Sequence, residues 1–110
     1  MKRFFRRFIA VGQKSEGSLG GQGFNYWLEV CCPFQMEREA CLKALDQVCA
    51  EIDHKALGID VDLAVTPTSV NLVGWIADQM RARLSTTVDV RLERGDGWIT
   101  QKIAGSGPNY

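Results

Sequence analysis

The sequence predicts a single α+β domain in which two helices cover one face of a four-stranded antiparallel sheet. Two segments near the start and two near the end are predicted as strands, and alternating residues in 24–32 and 87–93 are typical of strands with one face buried. Between them, two segments repeat apolar residues at helical spacing. The 110 residues suffice for one modest core. We therefore expect residues 1–103 to form a ββααββ domain and residues 104–110 to form a flexible tail.

The first two strands are predicted at residues 3–11 and 24–32. In the second, the apolar Tyr26, Leu28 and Val30 alternate with more polar neighbours. Five glycines within residues 12–23 predict a loop between the two strands. Pro33 cannot donate a ladder hydrogen bond, so the second strand should end there.

The first helix is predicted at residues 36–52, and the second starts within residues 66–69 and runs to about residue 84. The apolar stripe of the first helix contains Cys41, Leu45, Val48 and Ile52. Asp53 and His54 follow it and close the helix. Residues 66–69, Thr-Pro-Thr-Ser, predict the start of the second helix, because hydroxyl side chains cap free amides and proline fits a first turn.

The last two strands are predicted at residues 87–93 and 98–103, with Asp96-Gly97 as a strong hairpin signal between them. A four-stranded sheet of this kind has two free edges. Free edges are an aggregation hazard, and pairing them between identical subunits removes it. We therefore expect a ring-like homo-oligomer.

Composition and charge exclude several classes of function. Thirteen basic and thirteen acidic residues give a formal net charge of zero, so nothing favours a nucleic-acid partner. No apolar run is long enough to span a membrane, and arginines interrupt any signal-peptide core near the start. The four cysteines include no Cys-x-x-Cys pair, which argues against a structural zinc site. We expect a cytoplasmic protein.

Four short segments resemble the family of 6-pyruvoyltetrahydropterin and 6-carboxytetrahydropterin synthases, which has the tunnelling fold. Residues 52–57, Ile-Asp-His-Lys-Ala-Leu, are similar to the family's Leu-Asp-His-x-x-Leu-Asn, and residues 67–72, Pro-Thr-Ser-Val-Asn-Leu, to its Pro-Thr-x-Glu-Asn-Leu. Asn25-Tyr26 follows the pattern of His-Gly-His-Asn-Tyr, and residues 88–93 resemble the strand whose final glutamate anchors the pterin. The resemblance implies that three subunits close a barrel, that two barrels stack into a hexamer, and that each active site lies at a subunit interface.

The same resemblance indicates that the family's zinc ligands are replaced. The family binds zinc through one histidine on the first strand and two in His-Gly-His, and Gly12, Gln22 and Phe24 occupy these positions. Glycine and phenylalanine offer zinc no donor atom, and glutamine is a poor ligand. We therefore expect no metal and no other cofactor. Ser18 stands at the position of the family's catalytic cysteine.

The resemblance also implies how a pterin would be held. Glu93 would accept hydrogen bonds from the amino and ring N–H groups of a 2-amino-4-oxo heterocycle; the alternative is a solvated carboxylate. Thr68 and Ser69 would be further polar contacts or, equally, only caps of the second helix. Asp53 and His54 would form an acid–base pair, unless His54 merely stabilises the end of a helix. The tryptophans are expected in the core or in interfaces rather than as a stacking platform: Trp27, Trp75 and Trp98.

Three functions follow as hypotheses. The first is a zinc-free protein of this fold that binds a pterin or purine-like ring at a subunit interface; as an enzyme it would be a carbon–oxygen or carbon–carbon lyase, the latter of aldolase type. The second is a non-catalytic assembly or partner protein that keeps only the oligomeric fold. The third is a zinc lyase with unfamiliar ligands, such as His54 with Cys31 or Cys32.

Overall fold

The computed structural model describes residues 2–14, 21–55 and 68–103. Within these ranges it contains β1 (Lys2–Lys14), β2 (Gly21–Pro33), α1 (Arg38–Ile52), α2 (Ser69–Leu84), β3 (Asp89–Arg94) and β4 (Ile99–Lys102). The strands form one antiparallel sheet in the order β1-β2-β3-β4. The predicted α+β architecture and its ββααββ order are confirmed. Ser18 and the tail predicted at residues 104–110 lie outside the described residues.

The two faces of the sheet differ in their burial. The face toward the helices contributes buried side chains from three strands: Ile9, Val11, Tyr26, Leu28, Val30, Cys32, Val90 and Leu92. The opposite face, here called the open face, contains Phe4, Arg6, Phe8, Asn25, Trp27, Glu29, Cys31, Asp89, Arg91 and Glu93. The alternation predicted for β2 is confirmed, although Cys31 on the open face is only 6% exposed.

The helices complete the core with their apolar stripes. The buried residues of α1 are Cys41, Ala44, Leu45, Val48 and Ile52, and those of α2 are Leu72, Val73, Ile76, Ala77 and Met80. Burying each large apolar side chain contributes roughly 1.5–3 kcal/mol. Helix α2 starts where its cap predicts, because Thr68 Oγ1 accepts a hydrogen bond from the Asn71 N–H at 3.2 Å. Helix α1 begins two residues later than predicted, after an N-cap residue, Glu37, whose side chain makes no capping bond.

The first two strands are longer than the sequence predicts. Gly12 pairs with Gly23 and Lys14 with Gly21, so the ladder continues through residues expected to form a loop. Glycine weakens a strand because it brings no side chain to pack. Here the ladder spans all thirteen residues of each strand, and this continuous pairing outweighs the local preference of the glycines.

The residues that follow α1 cover part of the outer edge of β1. The His54 N–H donates to the Ala10 carbonyl at 2.6 Å, and the Gly12 N–H donates to the Lys55 carbonyl at 2.8 Å. Asp53 adds a side-chain bond, since its Oδ1 accepts from the Ala10 N–H at 2.9 Å. Residues 53–55 are called the edge strap below. The strap satisfies backbone groups of β1 that the β2 ladder leaves unpaired.

A search of residues 2–14, 21–55 and 68–103 finds no helix that is both long and apolar enough to cross a membrane.

Candidate functional site

The predicted site residues that the structure describes gather at one end of the sheet. At this end, called the Gly12 end, β1 finishes beside the start of β2, where Gly12 pairs with Gly23. Strand β3 also finishes here, and β4 starts here, because Glu93 pairs with Ile99. The edge strap lies beside Ala10 at the same end.

Asp53 and His54 form a carboxylate–imidazole pair. Asp53 Oδ1 lies 3.1 Å from His54 Nδ1, while the bond from Ala10 fixes the carboxylate. The imidazole is 80% exposed, so it is accessible to a ligand or to a neighbouring subunit. A carboxylate at Nδ1 orients the ring, which is the arrangement used in acid–base catalysis. His54 has a φ of 60°, a left-handed conformation that is costly for a residue with a side chain.

Thr68 and Ser69 lie on the helix side of the sheet. Ser69 Oγ is 2.7 Å from the hydroxyl of Tyr26, which is 1% exposed. Thr68 caps α2 through its hydroxyl. The Thr68 hydroxyl therefore has the capping role, while the Ser69 hydroxyl joins the first residue of α2 to β2.

Glu93 lies on the other side of the sheet from these hydroxyls. It follows the buried Leu92 and pairs with Trp27, so the two-residue period of a strand places it on the open face. Its Oε1 is 3.5 Å from Arg91 Nη2. A single chain therefore does not bring Glu93 together with Thr68 and Ser69, although the sequence places all three in one predicted ligand set.

The positions of the family's zinc ligands do not fit zinc. Gly12 pairs with Gly23 and Phe24 with Val11, so positions 12 and 24 fall on opposite faces of the sheet. The Phe24 ring packs against the core, with the Arg94 guanidinium carbon 5.5 Å from its centre. Among the described residues, no group of three or more potential ligands could hold a metal ion.

The structure also separates the unfamiliar zinc ligands of the third hypothesis. Cys31 and Cys32 pair with Phe4 and Arg3, whereas His54 contacts Ala10. Six residues of extended strand correspond to roughly 20 Å. His54 and these cysteines therefore cannot bind one ion within a single chain.

Of the two places predicted for Trp27, the core and an interface, the structure excludes the core. Trp27 lies on the open face and is 44% exposed, and Phe8 is 53% exposed beside it. The two rings meet edge to face, with centroids 5.1 Å apart. The Arg6 guanidinium lies 4.9 Å from the Trp27 ring. An aromatic residue at a polar position of the β2 alternation is the sequence signal for this cluster.

A second cationic cluster lies where β3 turns into β4. Arg94 is 5.5 Å from the Phe24 ring and 5.9 Å from the Trp98 ring. It donates to Asp96 through Nε at 3.1 Å and Nη2 at 2.7 Å. These bonds, together with one from the Trp98 N–H, lower the pKa of Asp96. The cluster fixes the predicted Asp96-Gly97 hairpin, in which Gly97 has a φ of 89°.

A cavity of about 120 Å³ lies on the open face at the end opposite to the Gly12 end. Its lining includes Phe4, Glu29, Cys31, Asp89, Arg91 and Gln101. Cavities that hold drug-sized ligands are typically about 300–1,000 Å³. This cavity is too small for such a ligand and contains none of the residues predicted to bind a pterin.

Comparison with known proteins identifies the fold. The structure of Caenorhabditis elegans 6-pyruvoyl tetrahydropterin synthase matches with a TM-score of 0.70, covering 96% of this chain and 94% of that one, at 19% sequence identity. No protein-family model matches the sequence, and a search of curated proteins finds no significant relative. The chain has the tunnelling fold, as its motifs predict.

Proposed function

We propose that this protein binds a pterin or purine-like ring at a site completed by two subunits, without zinc at the family's ligand positions. The observation that carries the proposal is the likeness to a pterin synthase over nearly the whole chain. It is supported by the position of Glu93 and the Asp53–His54 pair at the same end of the sheet. A carboxylate such as Glu93 matches the two adjacent N–H donors of a 2-amino-4-oxo ring.

The strand order supports the assembly that such a site needs. Strands β1 and β4 form the two edges and run in opposite directions, so β4 of one copy could continue the ladder beside β1 of the next. Three copies would close a barrel, and two barrels would stack into a hexamer. The strap of one subunit would then face the neighbour's β4, whose Ile99 pairs with Glu93. This arrangement brings His54 and Glu93 from different subunits to a common site.

The chemistry proposed for this site is proton transfer. His54 would remove or deliver a proton at the substrate side chain, while Asp53 holds the imidazole through Nδ1. The bound ring would accept the electrons that proton removal releases. These roles correspond to a carbon–oxygen or carbon–carbon lyase acting on a pterin. The four cysteines, all among the described residues, form no disulfide, which agrees with the proposed cytoplasmic location.

The alternative is a non-catalytic assembly protein, and a specific observation favours it. Phe4 is 64% exposed and Phe8 53% exposed on the open face, and β4 and the first half of β1 form sheet edges that the edge strap does not cover. Burying such aromatic side chains is a common source of association energy. This function needs the oligomer but neither Glu93 nor His54.

Calorimetry with pterin and guanine tests the proposal. Wild-type protein should bind at least one ring, and Glu93→Ala should lose this binding. Glu93→Gln should lose nearly as much affinity as Glu93→Ala, because it also removes the negative charge. Glu39→Ala removes an exposed carboxylate from the first turn of α1 and serves as the charge control. Absence of binding to the wild type would reject ring binding. If light scattering shows a hexamer while the wild type binds no ring, the alternative of a non-catalytic assembly protein is supported.

A further inference from the structure

Trp27 and Glu93 stand opposite each other on the open face. They are cross-strand partners of β2 and β3, and the Cβ atoms of such partners lie about 5 Å apart. On its other side Glu93 pairs with Ile99, which is 45% exposed. The carboxylate therefore lies between an indole and an aliphatic side chain. Ligand sites are lined mostly by apolar side chains, and a few polar groups among them fix the orientation of the ligand.

The indole is supported on one side and lightly covered on another. Phe8 contacts it edge to face and holds its orientation. Arg6 lies 4.9 Å from its centre, but Arg6 is 50% exposed and its Nε is 3.8 Å from Glu29. An exposed ion pair of this length contributes little energy. Arg6 can therefore leave the indole at small cost.

The charges of this face favour a neutral ring over a polyanion. Around Trp27 they comprise Arg6 and Arg91 against Glu29, Asp89 and Glu93, which is two positive and three negative groups, a net of minus one. Binding of nucleic acid requires an excess of positive charge. The aromatic residues of this face are therefore not a nucleic-acid platform.

We infer that Trp27 is the stacking platform for the ring whose donor edge Glu93 binds. The ring takes the place of the Arg6 guanidinium against the indole, and its amino and ring N–H groups face the Glu93 carboxylate. This inference rests on the proposed function and adds the selectivity of the site. Because the indole offers a large stacking area, a bicyclic ring should bind more tightly than a monocyclic ring with the same donor edge.

The test compares pterin with isocytosine, a single ring that presents the same amino and ring N–H groups. Trp27→Leu should weaken pterin binding at least about tenfold, since base–aromatic stacking is sensitive to such truncation. It should weaken isocytosine binding less. Trp27→Phe should retain an intermediate affinity. Trp98→Leu is the matched control, because Trp98 is 64% exposed but lies in the β3–β4 turn.

A fluorescence measurement reports on the wild-type indole and does not depend on a Trp27 variant. In protein with Trp75→Phe and Trp98→Phe, Trp27 is the only tryptophan and can be excited selectively, and isocytosine absorbs at wavelengths too short to accept its energy. Quenching at saturating isocytosine therefore indicates contact, whereas unchanged emission overturns the inference.

The outcomes separate this inference from the proposed function. Pterin binding that depends on Glu93 but changes less than twofold in Trp27→Leu leaves the proposed function standing and rejects the stacking role. No binding of either ring to the wild type rejects both.

Discussion

The carboxylate of Asp53 accepts a hydrogen bond from the backbone N–H of Ala10 at 2.9 Å, which ties the end of α1 to the outer edge of β1. The same Oδ1 lies 3.1 Å from His54 Nδ1. One oxygen atom therefore serves both the fold and the proposed acid–base pair, and suitable substitutions separate the two roles.

Replacing Asp53 tests its structural role. Asp53→Ala should lower the free energy of unfolding by about 1–2 kcal/mol, because the Ala10 N–H loses its acceptor. Asp53→Asn keeps an amide oxygen for this bond and should retain most of the stability. Urea denaturation measures both variants. Equal stability of the two variants would show that the side-chain bond does not hold the strap.

Glycine at position 54 should stabilise the protein. The left-handed conformation of His54 costs roughly 1–2 kcal/mol for a residue with a Cβ. Glycine removes this strain, but its greater freedom in the unfolded chain offsets part of the gain in stability. His54→Gly should therefore gain about 0.5 kcal/mol in thermal unfolding and lose any lyase turnover. Ser85, with a φ of 57°, is the control: Ser85→Gly should gain stability and keep the activity. A His54→Gly protein that retains full turnover would exclude His54 from catalysis.

The bond between Tyr26 and Ser69 should appear as a coupling energy. Tyr26→Phe and Ser69→Ala each remove one hydroxyl of a 2.7 Å hydrogen bond in a largely buried place. Each should cost about 1 kcal/mol, since it leaves the other hydroxyl without this partner. The double variant should cost clearly less than the sum of the single variants. Additive costs in chemical denaturation would mean that the two hydroxyls act independently.

Alkaline pH should destabilise the fold through its buried thiols. Burial, and secondly a hydrogen bond with Cys41, raises the pKa of Cys32 from 9.0 to about 12. Burial likewise raises the pKa of Cys49 to about 11. Above pH 9 the unfolded chain releases these protons while the folded chain retains them, so the free energy of unfolding falls as pH rises from 9.

Denaturation at a series of pH values measures this loss. Cys49→Ala should show a shallower decline than the wild type between pH 9 and pH 11, whatever its stability at neutral pH. Parallel curves for the two proteins would contradict the raised pKa of Cys49.

The sequence predicts the fold well because its patterns are local. The alternation around Leu28 and the helical spacing of the α1 and α2 stripes both follow from the geometry of single elements. The lengths of β1 and β2 are missed for the opposite reason. Gly12 and Gly23 favour a loop individually, and only their mutual pairing in the sheet makes them strand residues.

The site is predicted less completely, because its residues meet through topology. Glu93 and Ser69 come from motifs that suggest one ligand set, yet they lie on opposite faces of the sheet. Conversely, Trp27 and Glu93 are 66 positions apart and become neighbours only through the register of β2 with β3. No local spacing in the sequence contains that relationship.

The edge strap has a consequence for the order of folding. The β1–β2 hairpin pairs consecutive strands, whereas the strap joins Ala10 and Gly12 to residues 53–55, which follow α1. Contacts between distant residues form later on average, since a longer loop must first close. During that interval all of β1 presents an unpaired edge, and two nascent chains can join there in the wrong alignment. Refolding yield should therefore fall with protein concentration, and once the strap has closed only the first half of β1 remains to receive a partner.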